Sequence, residues 1–290
     1  MPAIYAHDRF GEEVVKTLPP SFAQLYEKYL EAFRLGFQGP DILFYHQPFK
    51  KNAIRTRGTQ LHITSAGGKF FREQAAILLK KAGYSEDKPY SVDEVLQANG
   101  ARAAYIAGFL CHFSLDVACH PYIDGHSDEI FTHGKVESEF DKFVRRQKGV
   151  RLHGYNVAKD AIKPTGGCAE TVAAVLSVPE ENIRAAISTM RKINGMFTFP
   201  LGLWHGFAHI VLKIAKYERK FGDMFMHKKD DPRFAGMGET LYEKFEEAIP
   251  KASALIVEYF NGLPDAVKSG LSNEIYRYNY SGIILQTEDC

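Results

Sequence analysis

Apolar residues recur at helical spacing along most of this chain. FAQLYEKYLEAFRLGF, KFFREQAAILLKKAGY, HGKVESEFDKFVRRQ, PEENIRAAISTMRKI and GETLYEKFEEAIPKASALIVEYFNGL each line one face with apolar side chains and the other with charges, the 3.6-residue period of a helix with a single buried stripe. GLWHGFAHIVLKIAKYERKF and DAVKSGLSNEIYR follow the same rhythm. Ser91 ahead of Asp93-Glu94 and Pro179 ahead of Glu180-Glu181 mark helix starts. Gly83, Gly149 and Gly222 mark stops. Strand alternation is scarce, and the short runs at Ile42–Tyr45 and at the C-terminus are ambiguous. The pattern predicts an all-α fold, one multi-helix domain over residues 1–290 with about nine helices, and no repeat or linker. Two long loops, QGPDILFYHQPFKKNAIRTRGTQ and RLHGYNVAKDAIKPTGG, are candidates for function.

One segment departs from the pattern. VDEVLQANGARAAYIAGFLCHFSLDVACH is apolar from Ala101 to Phe109, then places His112, Asp116 and His120 four residues apart, on one helix face. Ionisable side chains are costly to bury unless each finds a partner. A lone buried histidine is ordinarily a satisfied core residue, and a lone His–Glu pair at this spacing is ordinarily a surface contact. Three stripe positions in an apolar helix, followed by His133 and Glu137 at the same spacing in THGKVESEFD, argue instead for a metal site. The outer two backbones of the stripe lie roughly 12 Å apart, awkward for one zinc with bonds of about 2 Å. Asp116, between them, can serve one ion or bridge two. Pro121 predicts that the helix ends at His120, leaving His120 to turn towards another ion. Nitrogen and carboxylate donors without thiolate suit hydrolytic rather than structural zinc. Cys111 and Cys119 lie off the stripe as packing residues. His205 and His209 have no acidic neighbour and read as core or cleft wall. His46, His126, His153 and His227 fall in expected loops.

Composition narrows the partners. The net charge of +1 with scattered Lys and Arg offers no polyanion-binding face, so no stable nucleic-acid partner is expected. MPAIYAHDRFGEEVVK has no export signal, which predicts a cytoplasmic protein with reduced cysteines. No apolar run is read as a transmembrane segment. GKFFREQAAILLKK, with its basic rim, reads as a core helix before a membrane anchor, and peripheral membrane contact remains compatible with the chain.

GFLCHFSLDVACHPYI followed by THGKVESEFD resembles the zinc-dependent phospholipase C family, whose wider superfamily includes the S1/P1-type nucleases. YAHDRFGEEVV resembles the family's early histidine helix, LGFQGPDILFY its Gly-x-x-x-Pro-Asp loop, and the Leu-His of TQLHITSAGGKFF its next ligand histidine. The resemblance spans about residues 1–141 in order; from Gly149 onward no motif is matched. It implies an all-α fold holding two to three zinc ions in a cleft. Asp41, His62, His112 and Asp116 would hold one, and His120, His133 and Glu137 a second. Asp116 would bridge to a third, shared with His7 and completed by the terminal amine, here of Pro2 once Met1 is removed. The Asp116-to-His120 spacing is shorter than in the family's secreted phospholipases. The implied activity is hydrolysis of a lipid or soluble phosphodiester by metal-activated water, with Asp41 as general base or orienting ligand. A nuclease or nucleotidase and a non-catalytic zinc-binding protein are the alternatives. Phe44, Tyr45 and Phe49 are candidate pocket residues, with ordinary packing as the competing role.

Overall fold

The computed structural model describes residues 4–152, 158, 162, 167–197 and 229–285. Twelve α-helices lie among the described residues: α1 (Ile4–Val15), α2 (Pro20–Lys28), α3 (Leu30–Phe37), α4 (Ala53–Thr59), α5 (Gly67–Lys81), α6 (Val92–Asn99), α7 (Ala101–Gly125), α8 (His133–Gln147), α9 (Cys168–Leu176), α10 (Glu180–Phe197), α11 (Met237–Asn261) and α12 (Leu263–Ser269). No strand occurs among them; Tyr278 and Ile284 form one isolated antiparallel bridge. The ambiguous run near Ile42 is a 3₁₀ helix, Gly39–Tyr45. The excess over the expected count arises partly at Tyr29 and Gly100, where two periodic runs break into α2–α3 and α6–α7.

A helix that is apolar all round belongs in the middle of a protein, and α7 sits there. Helices α3, α11 and α1 pack on it. The contact with α3 is nearly backbone to backbone. A Cβ on Gly36 would sit 2.3 Å from the Tyr105 carbonyl, and one on Gly108 2.2 Å from the Phe33 carbonyl. Phe109 and Phe113 of α7 meet Phe70, Phe71 and Tyr276 in an aromatic cluster. By length and composition alone α7 could cross a membrane, contrary to the expectation that no run would. However, 83% of its apolar window is buried inside the protein, which identifies it as a core helix. Helix α5 likewise buries Phe70, Phe71, Ala75 and Leu78 in the core.

Pro121 does not end α7. The helix continues to Gly125 with Pro121 inside it. Proline removes one N–H, leaving the Val117 carbonyl without its helical partner. At that break Gly282 comes so close that a Cβ there would lie 2.4 Å from the Pro121 ring and 3.2 Å from the Val117 oxygen. Packing from the C-terminal segment therefore accommodates the interrupted ladder. His120 keeps its helical position, and the stripe extends a further turn to Asp124.

Candidate metal centre

Each side chain of the centre is held by a local device. His7 lies on α1, whose start is fixed by Asp141 accepting from the Ala6 N–H at 2.7 Å. The next residue, Asp8, is fully buried and takes a two-pronged grip from Arg34 at 2.9 and 2.7 Å. Asp41 projects from the 3₁₀ helix that Gly39 opens. Gly39 has φ +48°, and a Cβ there would strike the His112 ring at 2.5 Å, so only glycine meets both the turn and the contact. Its carbonyl accepts from the Tyr105 hydroxyl at 3.1 Å. His62 sits on a single π-helical turn, Gln60–Thr64, a local irregularity common at functional sites. His112, Asp116 and His120 descend one face of α7. His133 begins α8, where the Thr132 side chain caps by accepting from the Lys135 N–H.

The structure gathers these residues into three groups of mutually close donor atoms: His7, His112 and Asp116; Asp41, His62 and His112; and His120, His133 and Glu137. Asp116 is the hub. His7 Nε2 lies 3.3 Å from its Oδ1, His120 Nε2 3.4 Å from the same oxygen, and His112 Nε2 3.1 Å from its Oδ2. His62 Nε2 is 3.0 Å from Asp41. Glu137 lies 3.6 Å from His120 Nε2 and 3.4 Å from His133 Nε2. His112 and His120 belong to different groups, consistent with their axial separation on α7. Pro2, His205 and His209 lie outside the described residues.

The opposite ring nitrogens decide the tautomers. Nδ1 of His62 contacts the Gly58 carbonyl at 2.8 Å, that of His112 the Phe37 carbonyl at 3.2 Å, and that of His120 the Tyr280 carbonyl at 2.7 Å. A carbonyl can only accept, so each Nδ1 carries the hydrogen and donates. His133 Nδ1 donates likewise to the Asp124 carboxylate at 2.6 Å. All four rings therefore turn Nε2 inward. At His62 and His112 that atom is buried and makes no hydrogen bond, although a carboxylate oxygen stands only 3.0–3.1 Å away. Two ligands on one tetrahedral zinc are separated by about 3.4 Å, given bonds of about 2.0–2.2 Å. The contacts here run from 3.0 to 3.6 Å. The donor set and its spacing fit zinc.

Charge is concentrated accordingly. Burial pushes the Asp116 carboxyl up, but His112 and His120 outweigh it and hold it well below the usual range. Asp41 is depressed in the same way against burial, with His62 and His112 among the causes, as is Glu137, with His133 and His120 among the causes. Burial works against charge on His112 and His120, yet Asp116 raises both. Burial opposes charge on His133 too, but Glu137 and Asp124 lift it to about 10. His7, beside the charge of His112, is lowered, chiefly by burial.

These groups open into a cleft of about 330 Å³ lined by Asp41, Phe44, His120, Asp124, Tyr280 and Ser281, among others. Phe44 faces the His62 ring at 5.1 Å. Of the other two candidate pocket aromatics, Tyr45 is buried and Phe49 is half-exposed. His46 lies in a loop, as expected, and is buried there, and His126 stacks on Tyr122 in the turn that ends α7; His153 and His227 lie outside the described residues. Two contributors escaped the sequence analysis. Asp124 continues the α7 stripe by four residues, a signal hidden by the expected stop at Pro121. Tyr280 acts mainly through its backbone, which leaves no side-chain signature.

Among the described residues the fold is all-helical, and it brings three histidine–carboxylate groups that could hold a metal ion to one cleft. The zinc dependent phospholipase C family model matches residues 6–177, more than half of the chain, and the chain is a member of that family. No curated protein and no solved structure matches it. The match reaches past the sequence motifs into α9 and leaves out α10 to the C-terminus.

Proposed function

We propose that this protein hydrolyses the phosphodiester of a glycerophospholipid or glycerophosphodiester by attack of water on phosphorus, with cleavage of one ester P–O bond and departure of its oxygen as an alcohol that takes up a proton equivalent to the one the water gives up. The observation that carries the proposal is the convergence of histidine Nε2 atoms and carboxylate oxygens in three groups of mutually close donors at one cleft. Asp41, His62, His112 and Asp116 would hold one zinc, and His120, His133 and Glu137 a second. Asp116 and His7 would hold a third, with the amine of Pro2 if Met1 is removed; intact Met1 in the mass of the native protein would remove Pro2 from the set. Zinc bound there supplies a Lewis acid for the phosphoryl oxygens and lowers the pKa of water towards neutrality.

The chain's own groups do the rest. Asp41 is ionised, borders the cleft, and takes the proton of the attacking water or orients that water. The Nδ1 hydrogen bonds keep the histidine Nε2 atoms aimed inward, opposite the carboxylates of Asp41, Asp116 and Glu137. Phe44 borders the cleft beside the His62 ring and adds an apolar surface there. The lipid assignment draws support from the cleft mouth. Ile63 lines it and is 53% exposed, and Ile283, two residues beyond Ser281, is 58% exposed. Such side chains can meet acyl chains, whereas the near-neutral net charge offers little to a long polyanion.

The test is zinc content measured beside turnover of a chromogenic phosphocholine ester and of a single-stranded oligonucleotide. Zinc with hydrolysis of the ester alone is expected. Cleavage of the oligonucleotide alone would replace the substrate assignment with a nuclease. Zinc bound with neither activity would replace it with a storage or recruitment role.

A further inference from the structure

Three of the four Nδ1 acceptors, the Phe37 and Gly58 carbonyls and the Asp124 carboxylate, belong to the family-matched part of the chain. The fourth, the carbonyl of Tyr280, does not. Tyr280 lies in a small hairpin closed by the Tyr278–Ile284 bridge and by Leu285 N–H donating to the Arg277 carbonyl at 3.0 Å. Asn279 organises its tip. Its Oδ1 accepts from the N–H groups of Ser281 and Ile283, each at 3.0 Å, and its Nδ2 donates to the Ile63 carbonyl at 3.0 Å.

The same residue reaches two ligand groups. Tyr280 donates its N–H to the His62 carbonyl at 3.0 Å while its own carbonyl accepts from His120 Nδ1 at 2.7 Å. Its ring, 1% exposed, lies 5.0 Å from the His62 ring and 6.0 Å from that of His112. A second tie comes from Gly67, whose N–H donates to the Tyr278 carbonyl at 3.0 Å just after the His62 turn. On its other side the hairpin is seated on α7 by Gly282, at φ +69° against Pro121 and the Val117 carbonyl. His62 and His120 come from separate elements, the first in the Asp41 group and the second in the Glu137 group. Tyr280 is hydrogen-bonded to both.

We propose that residues 278–285 form a positioning element of the metal centre, fixing the ring of His120 and the turn of His62 and so setting the distance between the two ligand groups. This rests on the metal-centre reading above. A histidine ligand whose outer N–H is held keeps its tautomer and direction, and loss of such a partner typically lowers metal affinity 10- to 100-fold. A hairpin that merely covered the aromatic core would contribute to folding but leave zinc affinity untouched.

Two variants separate these roles. Gly282→Ala places a methyl group into Pro121 and a side chain on a left-handed backbone, which lifts the hairpin from α7. Asn279→Ala unties the tip without adding bulk. Zinc affinity and stoichiometry are measured by competition with a chromophoric chelator. Circular dichroism reports helicity, and amide exchange at residues 280–283 reports hairpin opening. The expected result is native helicity, faster exchange in the hairpin, and at least one zinc bound about 10- to 100-fold more weakly. Wild-type zinc affinity in a variant with a demonstrably opened hairpin would overturn the proposal. Should Gly282→Ala fail to fold, Asn279→Ala alone decides. If the unaltered protein binds no zinc in the same competition, the metal-centre reading itself fails, and that outcome is visible before any variant is compared.

Discussion

Removing metal should destabilise this protein by an amount that grows with pH. Asp116 is 3% exposed and faces three imidazoles, and two further carboxylates face the remaining ones. A cation bound only by the folded state, at one hundred times its dissociation constant, adds about 2.7 kcal/mol. For a domain approaching this size, 1 kcal/mol moves the melting temperature by roughly 2–4 °C, so each tight ion should raise it by about 5–10 °C and two ions by about twice that. The pH sign follows from the histidines. In metal-free protein His112, His120 and His133 are raised above 6.5. Their contribution to stability is therefore complete below about pH 6.5 and declines as pH rises through the folded values, about 10 for His133. Zinc must displace those protons, so its affinity increases with pH. Differential scanning fluorimetry in excess chelator and in micromolar zinc, at pH 6, 7 and 8, should show a gap that widens with pH. Coincident melts at pH 8, or a gap that narrows from pH 6 to 8, would refute the idea that these histidines face a metal ion.

Three further outcomes are expected. Asp41→Asn should lower phosphodiesterase turnover by about 10²- to 10⁴-fold, with helicity unchanged; wild-type rates would exclude Asp41 from proton transfer and from orienting the water. Asp124→Asn should weaken zinc binding by about 10- to 100-fold through loss of the charged acceptor for His133 Nδ1, read by chelator competition, and wild-type affinity would reduce Asp124 to a surface contact. Gly108→Val should destabilise the fold by about 1–3 kcal/mol or more, because its Cβ would lie 2.2 Å from the Phe33 carbonyl, which cannot rotate away; an unchanged urea midpoint would disprove the tight α3–α7 contact.

What the chain disclosed in advance depended on whether information was carried by side chains at regular spacing. The stripe His112–Asp116–His120 and the pair His133–Glu137 announce themselves because helical period and chemistry coincide there. The all-α architecture was legible for the same reason, down to the Ser91 cap, whose hydroxyl accepts from the Glu94 N–H. Asp41 and His62, on a 3₁₀ helix and a π turn, have no such period, and the family resemblance pointed to them before geometry did. Asp124 was hidden by a sound rule applied to an exception. Proline disfavours helix at the preceding residue, yet the freed Val117 carbonyl lies under a glycine of the distant hairpin, a compensation that no local window contains.

The hairpin also bears on how a metal centre can be assembled from a chain. Ligands repeat as residue types because only a few side chains bind zinc. The groups that orient those ligands need only accept a hydrogen bond, and three of the four here are backbone carbonyls, of Phe37, Gly58 and Tyr280. Any residue can supply a carbonyl, so sequence places no mark on it; only the fold decides which one arrives. That explains why the stretch after Gly149 yielded no motif while still reaching the centre through residues 278–285. The ligand side chains end at Glu137. The hydrogen bonds of the outer nitrogens extend the centre to Tyr280.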